Sequence, residues 1–444
     1  MIKAKSSDIA KILSAKLYNG DSKFEGISID SRTISTNNLF IAIPGKNHDG
    51  HDYIDKAIQK GASVIICQRP IEITSTIPYI IVKNTLKALN SIAVYYRQEF
   101  INTHTIAITG TNGKTSVTKL TSEILSKSVT VASTIGNYNN EIGLPLSILN
   151  SPMSSKVNVF ELGASNKNDI HHLTNICSPN MTALLNISPA HIDSFGSFKV
   201  LKETKEEIFK HPNISQVVLN LDDCNYEDWR KMNHDKKITT VSLYNDSANY
   251  HISSETDKQL FISTPKGDCC IDKTLTRNLL LINIIFSIAL SVESGAEIDS
   301  IPNVIENFSG VEGRFYKFRS KYGYDVFDDS YNANPESMKL AINKISTYEK
   351  DKIFVMGDMG ELGIESRDHH LSIMEHAKQM DIKYLFYMGD YKEEAQTIFG
   401  DNCYTYNEMD ELIGNLINIA NENSLVLVKA SRFMKFDIIV NSLR

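Results

Sequence analysis

The chain has 444 residues, 42% hydrophobic and 22% charged, and its 46 Lys+Arg against 53 Asp+Glu leave a formal net charge of −7. At roughly 150 residues per domain, this is material for about three domains with their own cores, which excludes a disordered chain and a disulfide-stapled mini-protein. A mildly acidic balance also excludes the broad basic face of a general nucleic-acid binder and leaves room only for local basic pockets that take small anions.

Residues 1–10 carry Lys3, Lys5 and Asp8 and lack the apolar run of a signal peptide. Residues 1–83 read as a small α/β unit. Leu39-Phe40-Ile41-Ala42-Ile43 and Val64-Ile65-Ile66 are its apolar runs, and a helical pattern over 54–60 ends at Gly61. A helical stretch over 85–100 leads to Thr105-Ile106-Ala107-Ile108, a Gly-rich turn and a second helical pattern over 114–125. Strand-like runs follow at Val157-Asn158-Val159-Phe160, Thr182-Ala183-Leu184-Leu185 and Val217-Val218-Leu219, with helical segments between them.

Strands alternating with helices predict a doubly wound, mostly parallel sheet. Residues 250–275 read as β-hairpin material and 278–294 as a buried helix. The most apolar stretch, 279–290, is interrupted by Asn283 and Ser287 and is shorter than the roughly 20 residues of a membrane span, so no stable membrane insertion is expected. After Gly310 the βα rhythm restarts with Asp325-Val326-Phe327, Lys352-Ile353-Phe354-Val355-Met356, Tyr384-Leu385-Phe386 and Leu425-Val426-Leu427-Val428. The expected architecture is α/β throughout, in three domains: a small α/β domain over 1–83, a central doubly wound P-loop domain over 84–310, and a Rossmann-like α/β domain over 311–444. Cys67, Cys177, Cys224, Cys269, Cys270 and Cys403 form no C-x-x-C pair, which argues against a disulfide framework or zinc site and for the reducing cytoplasm.

Thr109-Gly110-Thr111-Asn112-Gly113-Lys114-Thr115 lies between a predicted strand and a predicted helix, where backbone N–H groups and a helix N-terminus cradle phosphates. Gly110 and Gly113 let the backbone approach the anion, Lys114 balances the charge of the β- and γ-phosphates, and the Thr115 hydroxyl suits Mg2+. The general pattern G-x-x-x-x-G-K-[ST] would need Gly where Ile108 stands. ATP is the expected ligand, although kinases, GTPases, transport ATPases and ligases all use such a loop.

The variant T-G-T-N-G-K-T resembles the ATP loop of the Mur ligase family, and other segments extend the resemblance along all three domains. Thr134-Ile135-Gly136-Asn137-Tyr138-Asn139-Asn140 is similar to the family's Asn-rich segment. Glu161 in Glu161-Leu162-Gly163-Ala164 and His191 in Asn186-Ile187-Ser188-Pro189-Ala190-His191 end predicted strands beside the loop, where a parallel sheet builds its site. The resemblance implies that Glu161 and His191 hold Mg2+, with a base that deprotonates the incoming amine as a rival role for His191. Lys205, in Thr204-Lys205-Glu206-Glu207, falls on the family's carbamylated lysine; without that spacing it would read as part of a solvated helix face. Asp328-Asp329-Ser330-Tyr331-Asn332-Ala333-Asn334-Pro335-Glu336-Ser337-Met338 and Met356-Gly357-Asp358-Met359-Gly360-Glu361-Leu362-Gly363 resemble the branch that adds D-alanyl-D-alanine. Asp30-Ser31-Arg32 and Asp49-Gly50-His51 are similar to the family's UDP-binding domain. Leu280 stands where the family has an Asn at the adenine pocket, Asn283 matches its second Asn, Phe433 replaces the Gly after Ser431-Arg432, and Asp193 takes the place of a Glu.

The resemblance implies an ATP-dependent amide ligase of the acid–D-amino-acid type. It would join D-Ala-D-Ala to UDP-MurNAc-tripeptide through an acyl phosphate, for peptidoglycan precursor synthesis. Lys114, His191, Lys205 and Arg314 would carry the catalysis. Gly110, Thr111, Asn112, Gly113, Lys114, Thr115, Asn283, Arg314, Asp329 and Asn332 would bind the nucleotide, with Asn334 shaping its loop. Ser31, Arg32, Asn139, Asn140, Ser431 and Arg432 would bind substrate. Two Mg2+ ions would rest on Thr115, Glu161, His191 and carbamylated Lys205, in a monomer. The alternatives are another amide ligase of the superfamily, of the third-amino-acid-adding or folylpolyglutamate type, and a P-loop ATPase regulatory module. The adjacent pairs His171-His172 and His369-His370 are expected at the surface.

Overall fold

In the computed structural model, which describes residues 1–45, 47–70, 76–99, 103–189, 192–273, 276 and 279–444, the apolar runs become strands of three main sheets. The first sheet collects β1 (Lys16–Tyr18), β2 (Ile27–Ser28), β3 (Leu39–Ile41), β4 (Val64–Cys67) and β5 (Tyr79–Ile81) in the order β1-β5-β4-β3-β2. Strands β2 to β5 run parallel, and β1 closes one edge antiparallel. All four residues of β4 are buried, as a strand covered on both faces must be. Helix α1 (Thr85–Glu99) carries the chain onward, with Leu89, Ile92 and Ala93 in an apolar cluster that also takes in Ile66 of the first sheet and Phe160 and Leu184 of the second. The two units therefore share a core, and the Asn150 side chain ties them further by exchanging two hydrogen bonds with the Ile27 backbone, at 2.9 and 3.0 Å.

The second sheet is wholly parallel. It comprises β6 (His104–Thr109), β7 (Val131–Ser133), β8 (Val157–Glu161), β9 (Met181–Leu184), β10 (Gln216–Asn220) and β11 (Lys237–Val241), in the order β11-β10-β9-β6-β8-β7. Strand β6 is flanked by β8 on one side and β9 on the other, so the order reverses at its end and a crevice opens there. Around that end lie α2 (Lys114–Leu125), α3 (Gly143–Leu149), α4 (Asp169–Cys177) and α5 (Phe198–Glu206). Strands β12 (His251–Glu255), β13 (Gln259–Ser263) and β14 (Cys269–Asp272) form a three-stranded antiparallel sheet, and α6 (Leu281–Glu293) is the buried helix that its apolar run predicts.

The third sheet comprises β15 (Tyr316–Arg319), β16 (Asp325–Asp328), β17 (Asp351–Gly357), β18 (Tyr384–Met388), β19 (Cys403–Thr405) and β20 (Ser424–Lys429), in the order β15-β16-β20-β17-β18-β19. It is parallel except for β15. Apolar clusters cover both its faces, with α7 (Pro335–Ser346) and α8 (Ser366–Gln379) on one of them. The histidine pair on α8 departs from expectation. His370 is fully buried, and its Nε2 accepts the Met359 N–H at 2.8 Å, because the 100° step between neighbours on a helix turns His370 inward while His369 stays partly exposed. Among the described residues, no helix is long and apolar enough to cross a membrane.

Candidate functional site

The turn after β6 is held by its neighbour strand. Thr111 N–H donates to the Asn186 carbonyl at 3.0 Å, Asn112 N–H donates to Asn186 Oδ1 at 2.9 Å, and Asn186 Nδ2 returns a bond to the Asn112 carbonyl at 3.1 Å. Gly113 enters α2 at φ +86°, and a Cβ there would meet Asn283 Oδ1 at 2.6 Å, so both backbone freedom and space demand glycine. Asn283 thus backs the loop from α6. Lys114 Nζ bonds the carbonyls of Gly110 and Thr111 at 2.8 and 3.0 Å, which keeps the ammonium at the loop's centre. Burial, joined by nearby Arg314 and opposed by Glu161, pulls Lys114 down to about 8.

Glu161, at the end of β8, is 1% exposed. Its two oxygens accept from Thr115 Oγ1 at 2.8 Å and Asn139 Nδ2 at 2.7 Å. Asn140 is committed to the backbone, accepting from Gly143 N–H at 2.9 Å. Lys205 on α5 is 4% exposed. Burial, and then the charge of Lys114, push it well below the ordinary lysine range, against the pull of Glu161 and Asp169. A shift in that direction favours the neutral amine, the form of a lysine that reacts with CO2. His191 lies outside the described residues.

The third domain supplies the opposite wall of a cleft of about 580 Å³. Its lining includes Arg314, Phe315, Asp329, Tyr331, Asn332 and Asn334, together with Lys429, Ser431, Arg432 and Phe433. The Arg314 guanidinium stacks 3.9 Å from the Tyr331 ring centroid, and that of Arg432 lies 5.7 Å from it. Asn334 caps α7 by accepting from Ser337 N–H at 2.9 Å, while its Nδ2 donates to Asn112 Oδ1 of the phosphate loop at 2.8 Å. The residue expected only to shape its own loop therefore also bridges the two domains. Ser431 is buried: its Oγ accepts from Gly360 N–H at 2.7 Å and donates to the Ala333 carbonyl at 3.3 Å. Phe433, 62% exposed, stands on the rim against Gly360.

The apolar end of the cleft is walled by Leu279, Leu280, Phe315, Leu340 and Ala341. Lys344 lies behind this wall and outside the lining. Its Nζ bonds the Thr276 carbonyl at 3.3 Å and the Leu279 carbonyl, with the Phe315 ring 5.6 Å away, and burial brings it down to about 8.

Nearly all the predicted residues from the central and third domains thus meet in one place. Ser31 and Arg32 do not line it. Ser31 is buried, and Arg32 is exposed and paired with Asp30 at 2.7 Å. Both lie beside a second cavity of about 380 Å³ between the first and central domains, whose lining includes Ser28, Asp30, Thr33, Asn38, Tyr138 and Asn150. Sequence reasoning missed Lys344 and Lys429. For Lys429 one signal existed, a charged residue closing an otherwise apolar strand beside Ser431-Arg432. Lys344 left none, because a lysine beside apolar helix positions reads as surface.

Comparison with known proteins matches all three parts of the chain to one family. Residues 23–107 match the Mur ligase family catalytic domain, residues 108–291 the Mur ligase middle domain, and residues 313–432 the Mur ligase glutamate ligase domain. The UDP-N-acetylmuramoyl-tripeptide–D-alanyl-D-alanine ligase of Haemophilus influenzae is 31% identical over 456 residues, covering 100% of this chain and 99% of the relative. That of Escherichia coli is 30% identical over 452 residues, with the same coverage. A crystal structure of MurF from Acinetobacter baumannii shares the fold with a TM-score of 0.88, at 24% identity over 100% of this chain and 99% of that one. The MurF ligase of Thermotoga maritima, solved in complex with ADP, gives a TM-score of 0.80 at 26% identity, over 94% of this chain and 97% of that one.

Proposed function

The chain belongs to the Mur ligase family, and from that membership and the geometry of the cleft we propose that it joins D-alanyl-D-alanine to UDP-MurNAc-tripeptide at the expense of ATP, releasing ADP and phosphate and supplying a peptidoglycan precursor. A carboxylate cannot be displaced directly by an amine, so its oxygen must first become a leaving group. The terminal carboxylate of the tripeptide attacks the γ-phosphorus, ADP departs, and an acyl phosphate forms. The dipeptide amine then attacks that carbonyl, loses a proton, and phosphate leaves. Phosphoryl transfer depends chiefly on alignment and charge stabilisation. Lys114 and the loop N–H groups meet the phosphates from below, and Arg314 meets them from the third domain.

The donor set suits Mg2+, a hard cation that takes oxygen ligands: Thr115 Oγ1 and the buried Glu161 carboxylate already lie 2.8 Å apart. Thr115, Glu161, His191 and Lys205 as its carbamate are the residues that would hold two such ions, whose chemistry is to neutralise phosphate oxygens. Leu280 and Phe315 make an apolar seat for the base, while Asp329 and Asn332 face the nucleotide. Residues 1–83 grip the UDP moiety, 84–310 bind ATP, and 311–444 bring Arg314, Ser431 and Arg432 to the acceptor side. Six free cysteines fit a cytoplasmic enzyme.

The observation that carries this reading is the cross-domain bond between Asn112 and Asn334, which sets the phosphate loop against the Asp329–Asn334 segment in one cleft. A regulatory P-loop ATPase would have no use for that second wall. The test is phosphate release from Mg-ATP with UDP-MurNAc-tripeptide, with and without D-Ala-D-Ala, with the product weighed by mass spectrometry. Release that needs both substrates and yields UDP-MurNAc-pentapeptide is expected. Release indifferent to both would overturn the proposal.

A further inference from the structure

Strand β20 ends in a lysine that packing alone does not require. Leu425, Val426, Leu427 and Val428 fill its buried positions, and then Lys429 follows with a side chain only 2% exposed. Taking an ammonium out of water is costly unless it is paired and hydrogen-bonded, and an apolar residue of similar volume would fill the space without that cost. Lys429 has two partners, and both belong to the nucleotide wall. Its Nζ lies 2.6 Å from Asp329 Oδ2 and donates to the Asn332 carbonyl at 2.9 Å.

The contacts continue from there to the cleft. The second oxygen of Asp329, Oδ1, accepts the Phe315 N–H at 3.0 Å. Phe315 sits at φ +58°, a left-handed conformation that a bulky side chain adopts only where its surroundings enforce it. Arg314 immediately precedes it, stacked on Tyr331, whose N–H in turn donates to the Gly313 carbonyl at 3.1 Å. One ammonium therefore fixes the span between Asp329 and Asn332 and, through Asp329 and Phe315, the direction of Arg314.

We propose that Lys429 is a positioning residue for the phosphoryl-transfer step, holding the Asp329–Asn332 segment and Arg314 in register with the phosphate loop. This rests on the ATP-dependent ligase reading given above. The rival explanation is that Lys429 merely neutralises a buried carboxylate. The two differ in what removing both charges does. With Lys429 gone the Asn332 carbonyl loses its donor whether or not Asp329 is charged.

The test compares wild type with Lys429→Met, Lys429→Gln and the double variant Asp329→Asn/Lys429→Met, each checked for folding by its melting curve. For Lys429→Met a rise of at least tenfold in KM for ATP and a fall of at least thirtyfold in kcat are expected, with KM for UDP-MurNAc-tripeptide within twofold. A purely structural defect would lower the active fraction and leave both KM values alone, and that outcome would overturn the proposal. The double variant, which also takes Asp329 from the nucleotide wall, is expected to be at least as impaired as the single one; recovery to within threefold of wild type would overturn the proposal, because neither residue would then be needed at the nucleotide. Should Lys429→Met not fold, Lys429→Gln, which keeps an N–H donor of shorter reach, is expected to show a smaller rise in KM for ATP, and wild-type values in it would contradict the assignment. Calorimetric ADP binding separates this proposal from the ligase reading. If wild type forms no pentapeptide, that reading has failed. The positioning role then stands or falls on whether Lys429→Met weakens ADP binding at least tenfold.

Discussion

Lys114→Met is expected to lower kcat by about 10³-fold, the scale on which a preorganised cation at a transferring phosphoryl group acts. KM for the UDP-linked substrate should move little. The reason is local: Lys114 Nζ is held by the Gly110 and Thr111 carbonyls at the point around which the loop curls, so no other cation can replace it from the same side. Its position also predicts a pH dependence. The group acts as an ammonium, and burial brings it down to about 8 in the free protein. Protonated enzyme is lost as pH rises through that value, so kcat/KM for ATP should be flat below about 8 and fall about tenfold per pH unit above it. Once triphosphate is bound, its charge favours the ammonium and the break in kcat should move upward. Steady-state phosphate release across pH 6 to 10 reads both limbs. A variant within tenfold of wild type would remove Lys114 from the mechanism.

Lys205 carries the second large effect. Its amine is buried, with Lys114 as a like charge and with Glu161 and Asp169 near enough to act on it electrostatically. An ammonium there would repel the cations that ATP brings, whereas a carbamate would bind them. Lys205→Ala should therefore cost several kcal/mol of charge stabilisation, about 10²- to 10³-fold in kcat. Lys205→Arg should fare no better, because it keeps the charge and cannot take up CO2. Wild type given isotopically labelled bicarbonate should show a carbamate carbonyl resonance that Lys205→Ala lacks. Absence of that resonance from active wild type, or near-normal turnover by Lys205→Ala, would contradict the assignment.

What was readable in advance followed from how local each signal is. The interior strands of the two large sheets were visible as apolar runs because both their faces are buried. Val157–Glu161, Asp351–Gly357 and Ser424–Lys429 are examples. In these two sheets the strands that the apolar pattern did not reveal are Val131–Ser133, Lys237–Val241, Tyr316–Arg319 and Cys403–Thr405, and all four are sheet edges. An edge strand is short and half-polar, and its pairing is decided by a neighbour distant in sequence. The phosphate loop was readable for the opposite reason, since Gly110, Gly113, Lys114 and Thr115 act within seven consecutive residues. Lys205 could not be told from a solvated helix face by its neighbours alone, because only the folded chain sets α5 under the cleft. The contacts between Asn112 and Asn334, and between Lys429 and Asp329, span sequence separations that no local pattern encodes. Ser31 and Arg32, picked out by a short pattern, lie beside the first domain's cavity rather than in its lining.

The central claim is that ATP activates the carboxylate of the UDP-linked peptide within this one cleft. The most direct measurement places heavy oxygen in the terminal carboxylate of UDP-MurNAc-tripeptide, runs one round of ligation with Mg-ATP and D-Ala-D-Ala, and weighs the phosphate released. Attack by that carboxylate on the γ-phosphorus predicts phosphate carrying one labelled oxygen for each pentapeptide formed. Phosphate released without label would mean that water, not the peptide, had attacked ATP, and would contradict the account.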